Sequence, residues 1–290
     1  MSEVVSWVDA DGEVTTLPVE WRARGRFMPK VIIQSDKVPG QAGSRPRQVR
    51  HDDHEFLLPL FWQAASDVAL RTDLRDLIRK MNPANDDGTP RYGKVRVVSP
   101  VGDVREITCL YTAGLELDET VDDASGLTWQ RAAVSFLAHD PYWYDASPVS
   151  SPVWTITDTP NFFPILPISL TASELVVAET ITNAGDVQAW PVWTITGPGS
   201  LVKLSNLSTG QTLYFPSLSL GIGQFLTIDT RPGVKSVLLN DGTNAYSLLE
   251  PTSALWPLRS GANQVRLEMS GVDATDSSLQ VTYYQRFLSP

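Results

Sequence analysis

Past residue 152 the chain never repeats its apolar residues at helical spacing. Short runs at 153–157, 175–183, 192–196, 202–204, 212–215, 224–229, 236–239, 265–269 and 279–284 read as strands instead. Between them stand turn formers: Asn183-Ala184-Gly185-Asp186, Gly197-Pro198-Gly199, Thr209-Gly210, Arg231-Pro232-Gly233 and Asn240-Asp241-Gly242. Strands this short and this closely spaced predict a β-sandwich of jelly-roll type over residues 153–290.

The sandwich needs a boundary on its N-terminal side, and the sequence marks one. Residues 138–145 read Ala138-His139-Asp140-Pro141-Tyr142-Trp143-Tyr144-Asp145, and a Ser/Pro-rich stretch follows at 146–152. A residue before proline is pushed out of the helical region, so Asp140-Pro141 ends the preceding strand. The aromatics Tyr142 and Trp143 then require burial, which places the cluster Asp140, Pro141, Tyr142 and Trp143 at the junction of two domains. Residues 1–145 form the first, 146–152 a linker and 153–290 the second.

The first domain is also mostly β. Residues 4–17 alternate around Asp11-Gly12 and predict a hairpin with Val5, Trp7 and Val14 turned inward. Residues 30–34 are a short strand. Residues 35–50, rich in Pro, Gly and Ser, read as a long exposed loop carrying Arg45, Arg47 and Arg50, and the alternative to a solvated loop is an arm that reaches a neighbouring subunit. One helix stands out over 67–81, where Val68, Leu70, Leu74, Leu77, Ile78 and Met81 recur at three- and four-residue spacing, with Ser66 as cap and Asn82-Pro83 as stop. Arg71, Arg75 and Arg79 line a different face, read as solvated or as an interface. Strands follow at 94–98, 104–112, 115–118 and 128–138, with an acidic turn at 119–126.

Composition narrows the function. The 290 residues suggest about two domains at the usual ~100–200 residues each. A hydrophobic content of 42% with 19% charged residues is globular, and no run is long enough to span a membrane. The N-terminus lacks the basic and apolar regions of a secretory signal, so synthesis and folding in a cytosol are expected. The single cysteine, Cys109, excludes an intrachain disulfide and reads as a small buried strand residue. Net charge is −10; residues 1–145 hold 17 Lys+Arg against 23 Asp+Glu (−6), and residues 146–290 hold 6 against 10 (−4). A chain so acidic, without a basic stripe, does not grip nucleic acid through its phosphates.

Site chemistry is sparse. His51-Asp52-Asp53-His54-Glu55 is the densest run of metal-ligand residue types, but on a strand His51 and Asp53 share one face and His54 the other. It reads as a solvated polar entry to the strand at 56–60. His139 reads as a hydrogen-bonded residue at a strand end. No Gly-x-Ser-x-Gly elbow and no phosphate-binding Gly-x-x-x-x-Gly-Lys motif is present. No catalytic residue, metal or cofactor is assigned. Trp154, Trp190, Trp193 and Trp256 could form a sugar-stacking platform in the charge-poor half, with Trp190, Trp193 and Trp256 as the candidate carbohydrate-binding set; core packing accounts for the same residues.

Taken in order, several pieces resemble the distal tail proteins of long, non-contractile-tailed bacteriophages (siphoviruses), also called phage tail family or minor tail proteins. They are the helix Thr72-Asp73-Leu74-Arg75-Asp76-Leu77-Ile78 leading to Asn82-Pro83, then Trp129-Gln130-Arg131, Ser135-Phe136-Leu137-Ala138 and Asp140-Pro141-Tyr142-Trp143. In the second half they are Asn183-Ala184-Gly185-Asp186, Trp190-Pro191, Ile195-Thr196-Gly197-Pro198, Ile228-Asp229-Thr230 and the terminal Tyr283-Tyr284-Gln285-Arg286-Phe287-Leu288-Ser289. The resemblance implies a virion protein of the tail tip or baseplate. Its N-terminal β-rich domain with one helix would close a ring, usually a homohexamer, beneath the tail tube, and a galectin-like C-terminal sandwich would project outward. Implied partners are the major tail tube protein, the tape-measure protein, and hub and receptor-binding proteins used in host attachment, with DNA only in transit. The alternative is a carbohydrate-binding module that contacts a cell-wall glycan of the host envelope.

Overall fold

The structure, a computed structural model, describes residues 3–20, 23–37, 39–117, 125–155, 174–273 and 275–290. Residues 119–124 of the acidic turn read at 119–126, and residues 156–157 of the strand read at 153–157, lie outside them. The described chain is mainly β with one α-helix, as expected from the sequence. It divides into two compact units, residues 1–146 with 287–290, and residues 147–286.

In the first unit, β1 (Val4–Val8) and β2 (Val14–Leu17) form the expected hairpin, with Val8 paired to Val14. Val5 and Trp7 are buried, but Val14 is 48% exposed and Leu17 takes the inward position. The strand period of two explains this, because Leu17 pairs with the inward Val5 and Val14 with Val8. A separate two-stranded ribbon follows, β3 (Val31–Asp36) and β4 (Arg45–His51). Then come β5 (His54–Gln63), helix α1 (Asp67–Lys80), β6 (Gly93–Val98), β7 (Val104–Ala113), β8 (Ser125–Gly126), β9 (Trp129–Ala138) and β10 (Trp143–Asp145).

The sheet runs β2-β1-β6-β7-β10, and β7 also pairs with β9, which pairs with β5 and β8. Strand β7 makes both connections by dividing its length: residues 104–109 pair with β6, while Leu110, Tyr111 and Ala113 pair with β9 across a bulge. A bulge bends the strand it interrupts. An aromatic core fills the fold: Trp7 stacks on Phe136 (5.5 Å between ring centroids), Phe136 on Phe56 (5.4 Å), and Phe56 meets Trp143 (6.1 Å). Cys109 is wholly buried in this core, and desolvation pushes its thiol far above the usual range, so it carries no nucleophilic thiolate.

Helix α1 starts as predicted. Ser66 adopts extended geometry and its hydroxyl accepts from the Ala69 N–H (3.2 Å). Leu70, Leu74, Leu77 and Met81 are buried, a stripe stepping by four, three and four, whereas Val68 and Ile78 fall off it and face solvent. The Trp7 indole N–H donates to the Lys80 carbonyl (3.2 Å) and so caps the helix end. Gly93 makes this close approach feasible, because a Cβ there would lie 2.1 Å from Trp7 Cζ2. Gly93→Ala is therefore expected to cost about 1–3 kcal/mol as an overpacked core. A shifted denaturation midpoint would register the loss, and an unchanged one would contradict it.

The last residues return to the first unit rather than ending in the sandwich. Phe287 joins the first core, the Arg105 guanidinium lies 3.7 Å from its ring centroid, and Arg105 Nη1 donates to the Ser289 carbonyl (2.8 Å).

The second unit contains β11 (Val149–Ser150), β12 (Trp154–Thr155), β13 (Glu174–Asn183), β14 (Val192–Thr196), β15 (Gly199–Asn206), β16 (Gln211–Leu220), β17 (Phe225–Asp229), β18 (Ser236–Leu239), β19 (Gly261–Ser270) and β20 (Ser278–Tyr283). The Ser/Pro-rich stretch expected to be only a connector contributes β11, whose Val149 pairs with Tyr283. One sheet runs β11-β20-β14-β17-β18 and the other β13-β19-β15-β16, with one apolar core between them. Inward residues alternate on both sheets, Trp193 and Ile195 on one and Val202 and Leu204 on the other, which makes the unit a β-sandwich.

Buried asparagines fasten its turns. Asn183 accepts from the Gly185 N–H (3.0 Å) and donates to the Val187 carbonyl (2.9 Å), so the Asn-Ala-Gly-Asp motif works as a side-chain-closed turn. Asn263 donates to the Arg259 and Gly261 carbonyls (2.8 and 3.0 Å), and its side-chain oxygen accepts from Asn206 (3.3 Å).

Candidate functional site

Among the described residues no enclosed catalytic centre emerges, and no group of three or more His, Cys, Asp or Glu could hold a metal ion. The histidines instead join backbone segments. His54, expected to be solvated, is 2% exposed; its Nδ1 lies 2.9 Å from the Pro141 carbonyl, and its Nε2 approaches the Gly25 carbonyl. His51 Nδ1 lies 2.8 Å from the Tyr142 hydroxyl, and His139 Nδ1 lies 3.2 Å from an Asp53 carboxylate oxygen. All three thus gather around the Asp140-Pro141 turn. There Trp143 is fully buried and its indole N–H donates to the Arg26 carbonyl (3.0 Å), while the Tyr144 hydroxyl donates to the Asp140 carboxylate. The aromatics of the expected junction cluster find their burial inside the first unit.

The tryptophans expected as a sugar platform divide differently. Trp193 and Trp256 are 0% exposed and pack on each other at 5.1 Å between centroids, in the middle of the sandwich core. Neither can stack on a ligand. Trp190 is half-buried. The alternation that brings Trp193 and Ile195 to one face is the signal that separates core from platform.

What remains as a candidate site is a surface. Half of the segment expected to be a loop at 35–50 is strand: residues 35–36 end β3, which begins in the expected strand at 30–34, and residues 45–50 belong to β4. The base of the ribbon β3–β4 is closed by the Asp52 N–H donating to the Lys30 carbonyl (2.8 Å). Both strands are exposed over most of their length, and the directly opposed Ile33 and Val49 are each 61% exposed. Phe27 and Met28, just before the ribbon, are 64% and 59% exposed. Arg47 sits in the bulge between Gln34 and Ser35 on the partner strand and pairs with Asp36, whereas Arg45 and Arg50 have no ion pair among the described residues. An apolar strip flanked by unpaired cations, on strands with open edges, is a surface built for contact.

The sandwich carries a charge pair that the sequence reading quoted only as part of Ile228-Asp229-Thr230. Burial raises the Asp229 carboxyl, but hydrogen bonds from the Arg231 guanidinium (2.6–3.1 Å) and backbone outweigh it and hold the group below its ordinary value of 3.8. A depressed acid contributes stability that is present above its unfolded pKa and is lost as pH falls through the lower folded value. The thermal midpoint of the second unit should therefore drop as pH goes below 3.8. Asp229→Asn should flatten that acid slope, and an identical slope in variant and parent would contradict the assignment.

Comparison with known proteins decides the kinship. Residues 184–287 match the family described as "Siphovirus-type tail component, C-terminal domain". Over this segment the chain is similar to the C-terminal domain of a siphovirus-type tail component. Among curated proteins none matches the sequence. Among solved structures, the chain is similar to the Dit protein of phage SPP1, described as a paradigm of the hub adsorption apparatus in phages that infect Gram-positive hosts. The TM-score is 0.65 at 12% identity, over 99% of this chain and 100% of that one. It is also similar to a chain of the phage P2 baseplate in its activated conformation with Ca, at a TM-score of 0.50 and 10% identity, over 98% of each. The expected resemblance to distal tail proteins is borne out: the chain shares the fold of the SPP1 Dit protein, and the family match falls in its second unit.

Proposed function

We propose that this chain is the distal tail protein of a virion, a ring at the tail tip that joins the tube to the host-adsorption apparatus. The first unit closes the ring as a homohexamer, and the second serves as the scaffold for hub and receptor-binding proteins. The observation that carries this reading is the ribbon β3–β4. Two strands exposed on both faces are marginal by themselves, so a ribbon presenting Ile33 and Val49 calls for a partner surface. A second copy of an acidic chain supplies one of the right charge for Arg45 and Arg50. A heterologous contact of this kind closes into a ring when its rotation permits. The major tail tube protein would stack above and the tape-measure protein would pass through the bore. The −6 balance of residues 1–145 suits a bore through which DNA slides without being held. The chain acts by geometry, with no reaction to perform.

Native mass spectrometry of the purified full chain tests the ring. A hexamer, with a central hole in negative stain, is the expected result. A species that stays monomeric at the highest attainable concentration would contradict it.

A further inference from the structure

We propose that His54 is a proton-operated clasp at the root of the ribbon β3–β4, closed when both ring nitrogens carry a proton and open when one proton is lost. The ring is 2% exposed and reaches two chain segments: Nδ1 lies 2.9 Å from the Pro141 carbonyl, and Nε2 approaches the Gly25 carbonyl. Both partners are pure acceptors, whereas a neutral imidazole has a single N–H. The neutral ring therefore holds one carbonyl and turns a lone pair on the other, and only the imidazolium holds both. The other two histidines carry no such demand. His51 meets the Tyr142 hydroxyl, which donates or accepts as required. His139 meets Asp53 where both side chains are about half exposed, and an ion pair there contributes little.

The backbone holds the Gly25 carbonyl at the ring. The Arg24 N–H donates to the Leu57 carbonyl and the Leu57 N–H to the Arg24 carbonyl (2.9 Å each), while the Arg26 carbonyl accepts from the Trp143 indole (3.0 Å). Gly25 stands between these anchors with a left-handed backbone (φ 75), and a Cβ there would lie 2.8 Å from the Glu55 carbonyl oxygen, so the segment lies this close to β5 only with glycine. The charged groups around the ring are engaged elsewhere: Arg26 with Glu3, Asp140 with the Tyr144 hydroxyl and Asp53 with His139. Glu55 is exposed on the opposite face of β5, and Asp52 stands at the ribbon base. None of them bonds to the ring among the described residues; Phe56 packs on it edgewise (5.6 Å), and Ala138 stands opposite it on β9. The closed clasp binds one proton more than the open one, so where the open form has given up that proton, closure gains up to about tenfold per pH unit of acidification. Residues 25–28 lead into β3, and His54 follows β4, so the clasp ties both legs of the ribbon to the Asp140-Pro141 turn. Acid then seats the ribbon and alkali loosens it. The bearing of this on assembly rests on the ring reading above; the clasp itself does not.

A chain with only three histidines makes the test direct. The full chain, isotopically labelled at its histidines and tryptophans, is followed by nitrogen NMR from about pH 5 to 8, in solution or, where it assembles, as the sedimented ring. On the acid side both His54 nitrogens should give protonated signals. As pH rises one should lose its proton, in a step that also moves the Trp143 indole signal through the Arg26 carbonyl next to Gly25. His54→Gln should remove the Trp143 step, whereas His51→Gln and His139→Gln should keep it. If His54→Gln does not fold, the ring signals of the parent decide. A His54 ring that keeps one proton count, single or double, at every pH where the chain is folded overturns the proposal, and so does a Trp143 step that survives in His54→Gln. A clasp that titrates as described in a chain that forms no ring stands, and loses only its bearing on assembly.

Discussion

Trp193→Ala is expected to lower the stability of the second unit by about 3–5 kcal/mol, the cost of emptying an aromatic site in a packed core. The indole has no exposed surface, pairs with Trp256, and stands between the two sheets beside Ile195 and Ile228. A domain stable by some 5–15 kcal/mol would lose a large fraction of its margin, and its melting temperature would fall by about 10 °C or more. Calorimetry of parent and variant measures this directly. Were Trp193 a surface platform for sugar, its removal would leave the melting temperature almost unchanged, as surface substitutions generally do. An unchanged melt would therefore place the residue outside the core and reopen the tryptophan platform.

Helix α1 and the inward faces of the sandwich strands were readable because the periods of 3.6 and 2 act on consecutive residues. Leu70, Leu74 and Leu77 declare one face of a helix, and Trp193 with Ile195 one face of a strand. The ribbon was not readable as strand. Arg45 to His51 has a proline, three arginines and no apolar alternation, so its extended state comes from pairing with Val31–Asp36 and not from local preference. Nor does local pattern reveal that Phe287 leaves the sandwich for the first core, since that depends on which unit offers the cavity. His54 misled for a related reason. A histidine between two acidic residues looks solvated, yet strand alternation turns it inward, where backbone carbonyls take both ring nitrogens. At the candidate surface the arginines were visible from sequence, but the opposed Ile33 and Val49 that give them a purpose required the register.

That register supplies the second large effect. Changing Ile33 and Val49 together to Asp is expected to abolish ring assembly while leaving the folded protomer intact. Each residue is 61% exposed and outside both cores, so the protomer loses little. At an interface the change buries two carboxylates without partners and removes the apolar strip between the copies. Truncation of central interface residues typically costs 2 kcal/mol or more per site, and a ring multiplies the loss over every contact. Native mass spectra should show the monomer alone, with a melting curve like that of the parent at matched assembly state. A double variant that still forms rings would move the interface elsewhere on the first unit.

The proposed place of this chain, in a ring where tube meets tip, is tested most directly by one image: electron micrographs of virions with the protein labelled in place. The account predicts a single compact label at the distal end of the tube. Label spread along the tube, confined to the head, or absent from assembled particles would contradict it.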